Sequence, residues 1–240
     1  MSDPVFALCM PFFNNHGMLA QHRENWEAYP PHLKDGIEIS ICDDTSDIPI
    51  TREGVGILQH LHRISPPKVI WSQCCATNIA VWATSAPWIV LTDIDHIVTQ
   101  ETWDALLAFD ETQAINPGMV YTFQRMNVDL TPYKPHPNSW LMHRGLWETC
   151  KGHDERYRGL YNQDHSFRMR LERVARGFVE LPYSLVRVGR ESIPDASTPR
   201  SYLANREQDK ARVSAMRGEF HRAGTFWDDT RLRAPFERIW

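Results

Sequence analysis

The sequence predicts an α/β fold, and three observations carry the prediction. Apolar runs and helical stretches alternate from residue 5 to residue 95, the pattern of a parallel sheet with right-handed crossovers. Two of the strand-like runs, Ile37 to Cys42 and Trp88 to Thr92, stop abruptly in clusters of acids. In such sheets ligands bind beyond the carboxyl ends of the strands, so both clusters fall where a site is expected. Finally, 240 residues, 42% hydrophobic and 23% charged, suit one domain with a sizeable core and exclude a disordered chain.

The elements follow in order. Val5-Phe6-Ala7-Leu8-Cys9-Met10 is a continuous apolar run closed by Pro11, a buried strand. Met18 to Tyr29 reads as a helix, Ile37 to Cys42 as the second strand, and Arg52 to Ile64 as a second helix. A short strand at Lys68 to Trp71, a helix over Ala76 to Thr84 and a strand at Trp88 to Thr92 come next. Beyond residue 100 the spacing predicts a helix over Glu101 to Phe109 and a strand over Met119 to Phe123. Pro132 to Pro137 reads as a loop. Phe167, Leu171 and Val174 lie on one face of a helix starting near His165, with Gly177 as its C-cap. Phe178 to Leu181 is a strand. After the turn-rich Ser192 to Pro199, a final helix carries Val213, Met216 and Phe220 on one face and ends at Gly224.

Net charge is -4, but it is split. Residues 1–150 hold 8 Lys and Arg against 17 Asp and Glu, whereas residues 151–240 hold 18 against 13. An acidic part beside a basic part suits a site with a cation on one side and an anion on the other; it equally describes a solvated surface. The five cysteines form no CxxC pair and read as free thiols. Ile79 to Leu91, interrupted by Pro87, is too short to span a bilayer, and the N-terminus lacks a signal-peptide pattern, so a cytoplasmic location is expected. The nucleophile elbow, the P-loop and GxGxxG are absent, which argues against a serine hydrolase, a P-loop NTPase and a dinucleotide oxidoreductase. His60, His62, His136, His143, His153 and His165 show no zinc-ligand spacing.

Three clusters remain. Asp93-Ile94-Asp95 places two carboxylates where both can approach one divalent cation, Mg or Mn by ligand hardness; a solvated turn is the other reading. Asp43-Asp44 could accept from a nucleobase N–H or a ribose hydroxyl, or could cap a helix. Asp164 precedes a helix, where it is a cap or a general base.

Together these stretches resemble the GT-A glycosyltransferases, the family 2 group of inverting enzymes in particular. Leu8 to Asn14 looks like that group's first strand and Pro-x-Tyr-Asn turn, with Pro11 and Phe13 toward the donor base. Ile41 to Ser46 looks like its Asp-Asp-x-Ser ending, and Ala76-Thr77-Asn78 to Asp95 like its Ala-Arg-Asn helix followed by the DxD strand. Gly152-His153-Asp154-Glu155-Arg156-Tyr157 to Asp164 resembles its Gly-Phe-Asp-Glu-x-Tyr segment and catalytic turn.

The resemblance covers about residues 4–185 and implies a mixed, mainly parallel sheet flanked by helices, with a C-terminal helical tail. It implies a catalytic domain over residues 1–190, with a nucleotide-sugar half (1–100) and an acceptor half (101–190). Residues 191–240 would pack on it as a helical extension. By the same resemblance Asp164 is the general base. Asp93 and Asp95 hold Mn or Mg, and Pro11, Phe13, Asp43, Asp44, Asn78 and Asp93 meet a UDP- or GDP-sugar. The chain departs from the pattern in two places. Its catalytic turn is Gln163-Asp164-His165, with one carboxylate. After Phe178 to Leu181 it reads Leu185-Val186-Arg187-Val188-Gly189-Arg190 with no metal-binding His, so Arg187 or Arg190 would hold the diphosphate. Trp140 and Arg156 are placed on the acceptor side by position. The acceptor is a saccharide or another hydroxyl-bearing molecule, a nucleic acid being the less favoured choice. The competing functions are a non-catalytic binding domain of the same fold and a nucleotidylyltransferase, the latter disfavoured by the missing Gly-rich loop.

Overall fold

Ten strands form one mixed sheet in the computed structural model, which describes residues 3–52, 57–69, 72–112, 115–160, 163–189, 202–223 and 232–240. The elements run β1 (Phe6–Phe12), α1 (His16–Ala28), α2 (Pro31–Gly36), β2 (Ile37–Asp43), β3 (His60–Ile64), α3 (Gln73–Trp82) and β4 (Trp88–Leu91). Then come β5 (His96–Val98), α4 (Gln100–Glu111), β6 (Met119–Asn127), β7 (Pro132–Tyr133), β8 (Trp140–His143) and α5 (Arg144–Cys150). A 3-10 turn at Glu155–Tyr157 leads to α6 (Gln163–Val174), β9 (Gly177–Arg187), α7 (Tyr202–Ala223) and β10 (Phe236–Arg238). Strand order is β10-β3-β2-β1-β4-β8-β6-β9-β5, with β7 paired to β6.

The parallel block β3-β2-β1-β4 sits at the centre of the expected alternation. Because side chains alternate along a strand, β1 serves two cores at once. Phe6, Leu8, Met10 and Phe12 join Trp26, Leu33 and Trp103 on one face. Ala7 and Cys9 join Ala76, Ile79 and Ala80 of α3 on the other, where small residues let the helix lie close. Leu8 is 1% exposed, and its truncation to Ala would cost about 2–5 kcal/mol. None of the five cysteines is in a disulfide, and all are buried.

Several expectations give way. The helix over Arg52 to Ile64 is replaced at His60–Ile64 by β3, parallel to β2. Leu58, Leu61 and Ile64 have helical spacing, but pairing with β2 and β10 overrides it; residues 53–56 lie outside the described part. The strand at Lys68 to Trp71 is not found at residues 68 and 69, and residues 70 and 71 are outside the described part. Pro132 and Tyr133, read as loop, pair with Met126 and Arg125. Gly177 does not cap α6: it starts β9, opposite Met119.

The tail is not helical throughout. Helix α7 buries Val213, Met216 and Phe220, and β10 then pairs antiparallel with β3, Phe236 opposite Ile64 and Arg238 opposite His62. The Arg52 guanidinium lies 3.0 Å from the centre of the Trp240 ring. Ser192 to Pro199 and Gly224 lie outside the described residues. No helix among the described residues is long and apolar enough to cross a membrane.

Candidate active site

The loops after β1 and β2 are fastened to each other. Asn14 adopts φ 49°, a conformation asparagine tolerates, and receives the Asp47 backbone N–H at 2.8 Å on its side-chain oxygen. Its side-chain amide donates to Asp47 at 2.7 Å, and its backbone N–H donates to Ser46 Oγ at 2.9 Å. Asp43 accepts from the Ser46 and Ile50 backbone, while Asp44 accepts from Ser72 N at 2.9 Å and so ties the loop to the start of α3. Neither acid caps the helix that the sequence placed after them. Both are buried.

Beyond β4 the chain opens a cleft. Its walls are Pro11 of β1, Gln73 and Thr77 of α3, Asp93, Asn138, Trp140 of β8, His153, and Gln163 and Asp164 at the start of α6. Asp93 and Asp164 therefore face one space, although 71 residues apart in sequence. The Asp93 carboxylate accepts from Gln73 at 2.6 Å and from Asn138 at 3.1 Å, and His136 Nε2 lies 3.4 Å from it. Burial, and behind it the Asp93 charge, push the Asp164 carboxyl up to about 6, against the pull of His136 and a hydrogen bond from Asn138. A carboxyl tuned this way is ionised at neutral pH yet basic enough to take a proton.

Asp95 behaves in the opposite way. Burial opposes its charge, but the adjoining His96 ring, with His136 and Arg125 nearby, holds it down to about 2. His96 Nδ1 lies 2.7 Å from Asp95 Oδ1, and one ligand atom from each of Asp95, His96 and His136 falls within a group 4.8 Å across. These imidazoles are the residues that sequence reasoning missed. His96, next to the DxD acids, was legible as a neighbour; His136 reaches the site from a proline-rich loop, and only folding brings it there.

The other predicted residues divide into those at the cleft and those with different duties. Pro11 and Trp140 line it. Phe13 is half-buried with the Lys68 ammonium 5.2 Å from its ring centre. Arg187 donates to Asn127 at 3.1 Å, lies over Tyr133, and is the register partner of His96. Arg190 is outside the described residues. Asn78, expected at the donor, instead exchanges hydrogen bonds with the His153 backbone and donates to Glu155, because α3 buries its amide against that segment. Arg156, expected on the acceptor side, is forked onto Asp154 and reaches Glu219 of α7 at 3.3 Å; a buried carboxylate and a packed helix claim its guanidinium.

The segment around Asp154 and Glu155 is accordingly a structural hub. Asp154 also meets Arg170, 1% exposed, at 3.2 Å. Glu155 accepts from the backbone N–H groups of Leu232, Arg233 and Ala234. The hub presents His153, stacked on Phe167 with ring centres 4.1 Å apart, to the cleft wall. Burial first, then Arg170, bring the His153 ring down to about 3, so it is neutral at physiological pH.

A mixed sheet with this strand order is a GT-A-like glycosyltransferase fold, and here acids stand beyond β4 and a carboxylate at the head of α6. Solved structures bear this out. Residues 1–349 of S. aureus TarS superpose with a TM-score of 0.59 at 15% identity, over 78% of this chain and 61% of that one. The same fragment has been solved with UDP-GlcNAc, with a TM-score of 0.60. The mannosyltransferase PcManGT from Pyrobaculum calidifontis, solved with GDP-Man and Mn2+, matches 93% of this chain and 65% of its own at 15% identity and a TM-score of 0.55. The chain spans less than two thirds of these relatives, and only 37% of TarS in another of its structures. No family model and no curated protein matches the sequence.

Proposed function

We propose that this protein is an inverting glycosyltransferase that moves a sugar from a nucleoside-diphosphate sugar to an acceptor hydroxyl. One observation carries the reading: Asp164, tuned to about 6, faces Asp93 across a cleft at the carboxyl end of the parallel strands. That the neighbours of this fold were solved with UDP, UDP-GlcNAc and GDP-Man supports a UDP- or GDP-sugar as donor.

In this mechanism Asp164 accepts the proton of the acceptor hydroxyl on its carboxylate as that oxygen attacks the anomeric carbon. The bond from that carbon to the diphosphate breaks on the opposite face, and the configuration inverts. Asn138 holds Asp164 and Asp93 in place through its side-chain amide, and Trp140 and neutral His153 wall the cleft and exclude water. Phe13, Asp43 and Asp44 serve the base and ribose, and Arg187 the diphosphate.

A divalent cation suits the acid turn, since Asp95 Oδ1 and His96 Nδ1 are buried side by side, 2.7 Å apart, and His96 Nε2 is buried without a hydrogen-bond partner. Asp95 with the adjoining imidazoles would hold it, Asp93 standing beside them; when bound it supplies charge neutralisation for the leaving diphosphate. The acceptor is a saccharide or another hydroxyl-bearing molecule.

The test is a thermal-shift screen of UDP, GDP and their sugars, each with and without Mn2+, on wild type and Asp95→Ala. A base-selective, metal-dependent rise in midpoint that Asp95→Ala abolishes is expected. No rise with any nucleotide would sink the transferase reading and favour a fold retained without this chemistry.

A further inference from the structure

The acid turn is richer in nitrogen than a magnesium site requires. His96 is 0% exposed; its Nδ1 lies 2.7 Å from Asp95 Oδ1, and its Nε2 makes no hydrogen bond. Leaving such a group buried and unsatisfied is costly, and ligation is one way to satisfy it. Its ring centre lies 4.0 Å from that of His136. The Nδ1 atom of His136 is engaged by Ser139 Oγ at 2.9 Å, and Ser139 is engaged by Thr92 Oγ1 at 2.8 Å, so Nε2 is the nitrogen left on the side of the acids. An outer hydrogen bond of this kind fixes the ring orientation of a metal-ligating histidine. Asp95, 37% exposed, gives an ion a route from solvent, whereas Asp93 is occupied by two amides.

We propose that Asp95, His96 and His136 form a metal centre selective for first-row transition ions over Mg2+ and Ca2+. Metal–nitrogen bonds of about 2.1 Å put neighbouring ligand atoms roughly 3 Å apart and opposed ones about 4.2 Å apart. The 4.8 Å group needs only a small closure to reach those values, and His136, carried on a loop, can supply it. Two imidazoles and one carboxylate favour Co2+, Zn2+ and, less strongly, Mn2+; Mg2+ prefers an all-oxygen octahedron and keeps its waters. Among the described residues this is the one such group of three. The inference rests on the reading that the acid turn serves a cation, but it adds which cation and through which residues.

The experiment uses tag-free full chain stripped with a chelator and titrated with Co2+, without nucleotide, by visible absorption and equilibrium dialysis. One Co2+ per chain with nitrogen–oxygen ligand-field bands is expected, retained against about a hundredfold excess of Mg2+. His136→Gln and His96→Ala should each weaken it by at least about tenfold. Should His96→Ala fail to fold, the loop variant His136→Gln decides. Displacement of Co2+ by an equal concentration of Mg2+, or wild-type Co2+ binding in His136→Gln, overturns the proposal. Selective Co2+ binding with no thermal response to any nucleotide supports the centre and defeats the transferase reading instead.

Discussion

Replacing Asp164 by Asn should make the protein more stable and nearly inactive. A carboxyl whose pKa rises from 3.8 to about 6 on folding binds its proton more tightly in the native state. Its favourable contribution is complete below about pH 4 and is lost as pH rises through about 6, where the buried group ionises beside Asp93. Above that pH the ionised carboxylate burdens the fold by as much as about 3 kcal/mol. An asparagine keeps the shape and an acceptor for the Asn138 amide but removes the charge. Urea unfolding in a chelator should therefore show Asp164→Asn more stable than wild type by up to about 3 kcal/mol near pH 8, with the gap closing near pH 4. Over the same series the variant should lose about 10²–10⁴ in turnover, and wild-type kcat/KM should fall as pH drops below about 6. Equal stability of the two proteins at both pH values would refute the electrostatic argument, and full activity in the variant would refute the base.

The remaining predictions concern the hub and its surroundings. Glu155→Ala strips three backbone N–H groups and the Asn78 amide of a charged acceptor; it should cost about 3–5 kcal/mol in urea and speed proteolytic cleavage near residues 232–234, and an unchanged midpoint would discount the clamp. Arg170→Met removes one partner of the buried Asp154 cluster and should cost about 3–5 kcal/mol in thermal unfolding. By contrast Arg168→Ala, an exposed pair with Glu172 one turn away, should stay within about 0.5 kcal/mol; equal effects of the two would contradict burial as the cause. Phe13→Ala should weaken nucleotide binding by about 1–3 kcal/mol in calorimetry, the worth of one stacked base, and leave the unfolding midpoint of the free protein little changed.

The central strands were legible because their chemistry is local. β1 and β4 are near-continuous apolar runs, the pattern that burial on both faces demands, and β2 alternates isoleucines with Glu38 and Ser40 before it ends in acids. His60–Ile64 was misread because Leu58, Leu61 and Ile64 also fit one helical face, and the deciding partner, β10, lies at the other end of the chain. The acids of the cleft could be read from strand ends. Their division of labour could not: burial and the Asp93 charge raise Asp164, whereas His96, with His136 brought in from a distant loop and Arg125 from β6, holds Asp95 down. Asn78, Glu155 and Arg156 stand at motif positions, yet the structure employs them in holding α3, the 3-10 turn, α7 and the last residues together.

The pairing of residues 236–238 with 62–64 has a consequence for how the molecule is made. β3 would otherwise be the outermost strand, with a row of unpaired peptide groups ready to accept a strand from another chain. Its cover lies far along the chain from it, so a nascent chain carries an open edge until β10 has been made and has folded back. Loss of residues 236–238 would recreate that exposure, producing a tendency to associate rather than a simple loss of stability.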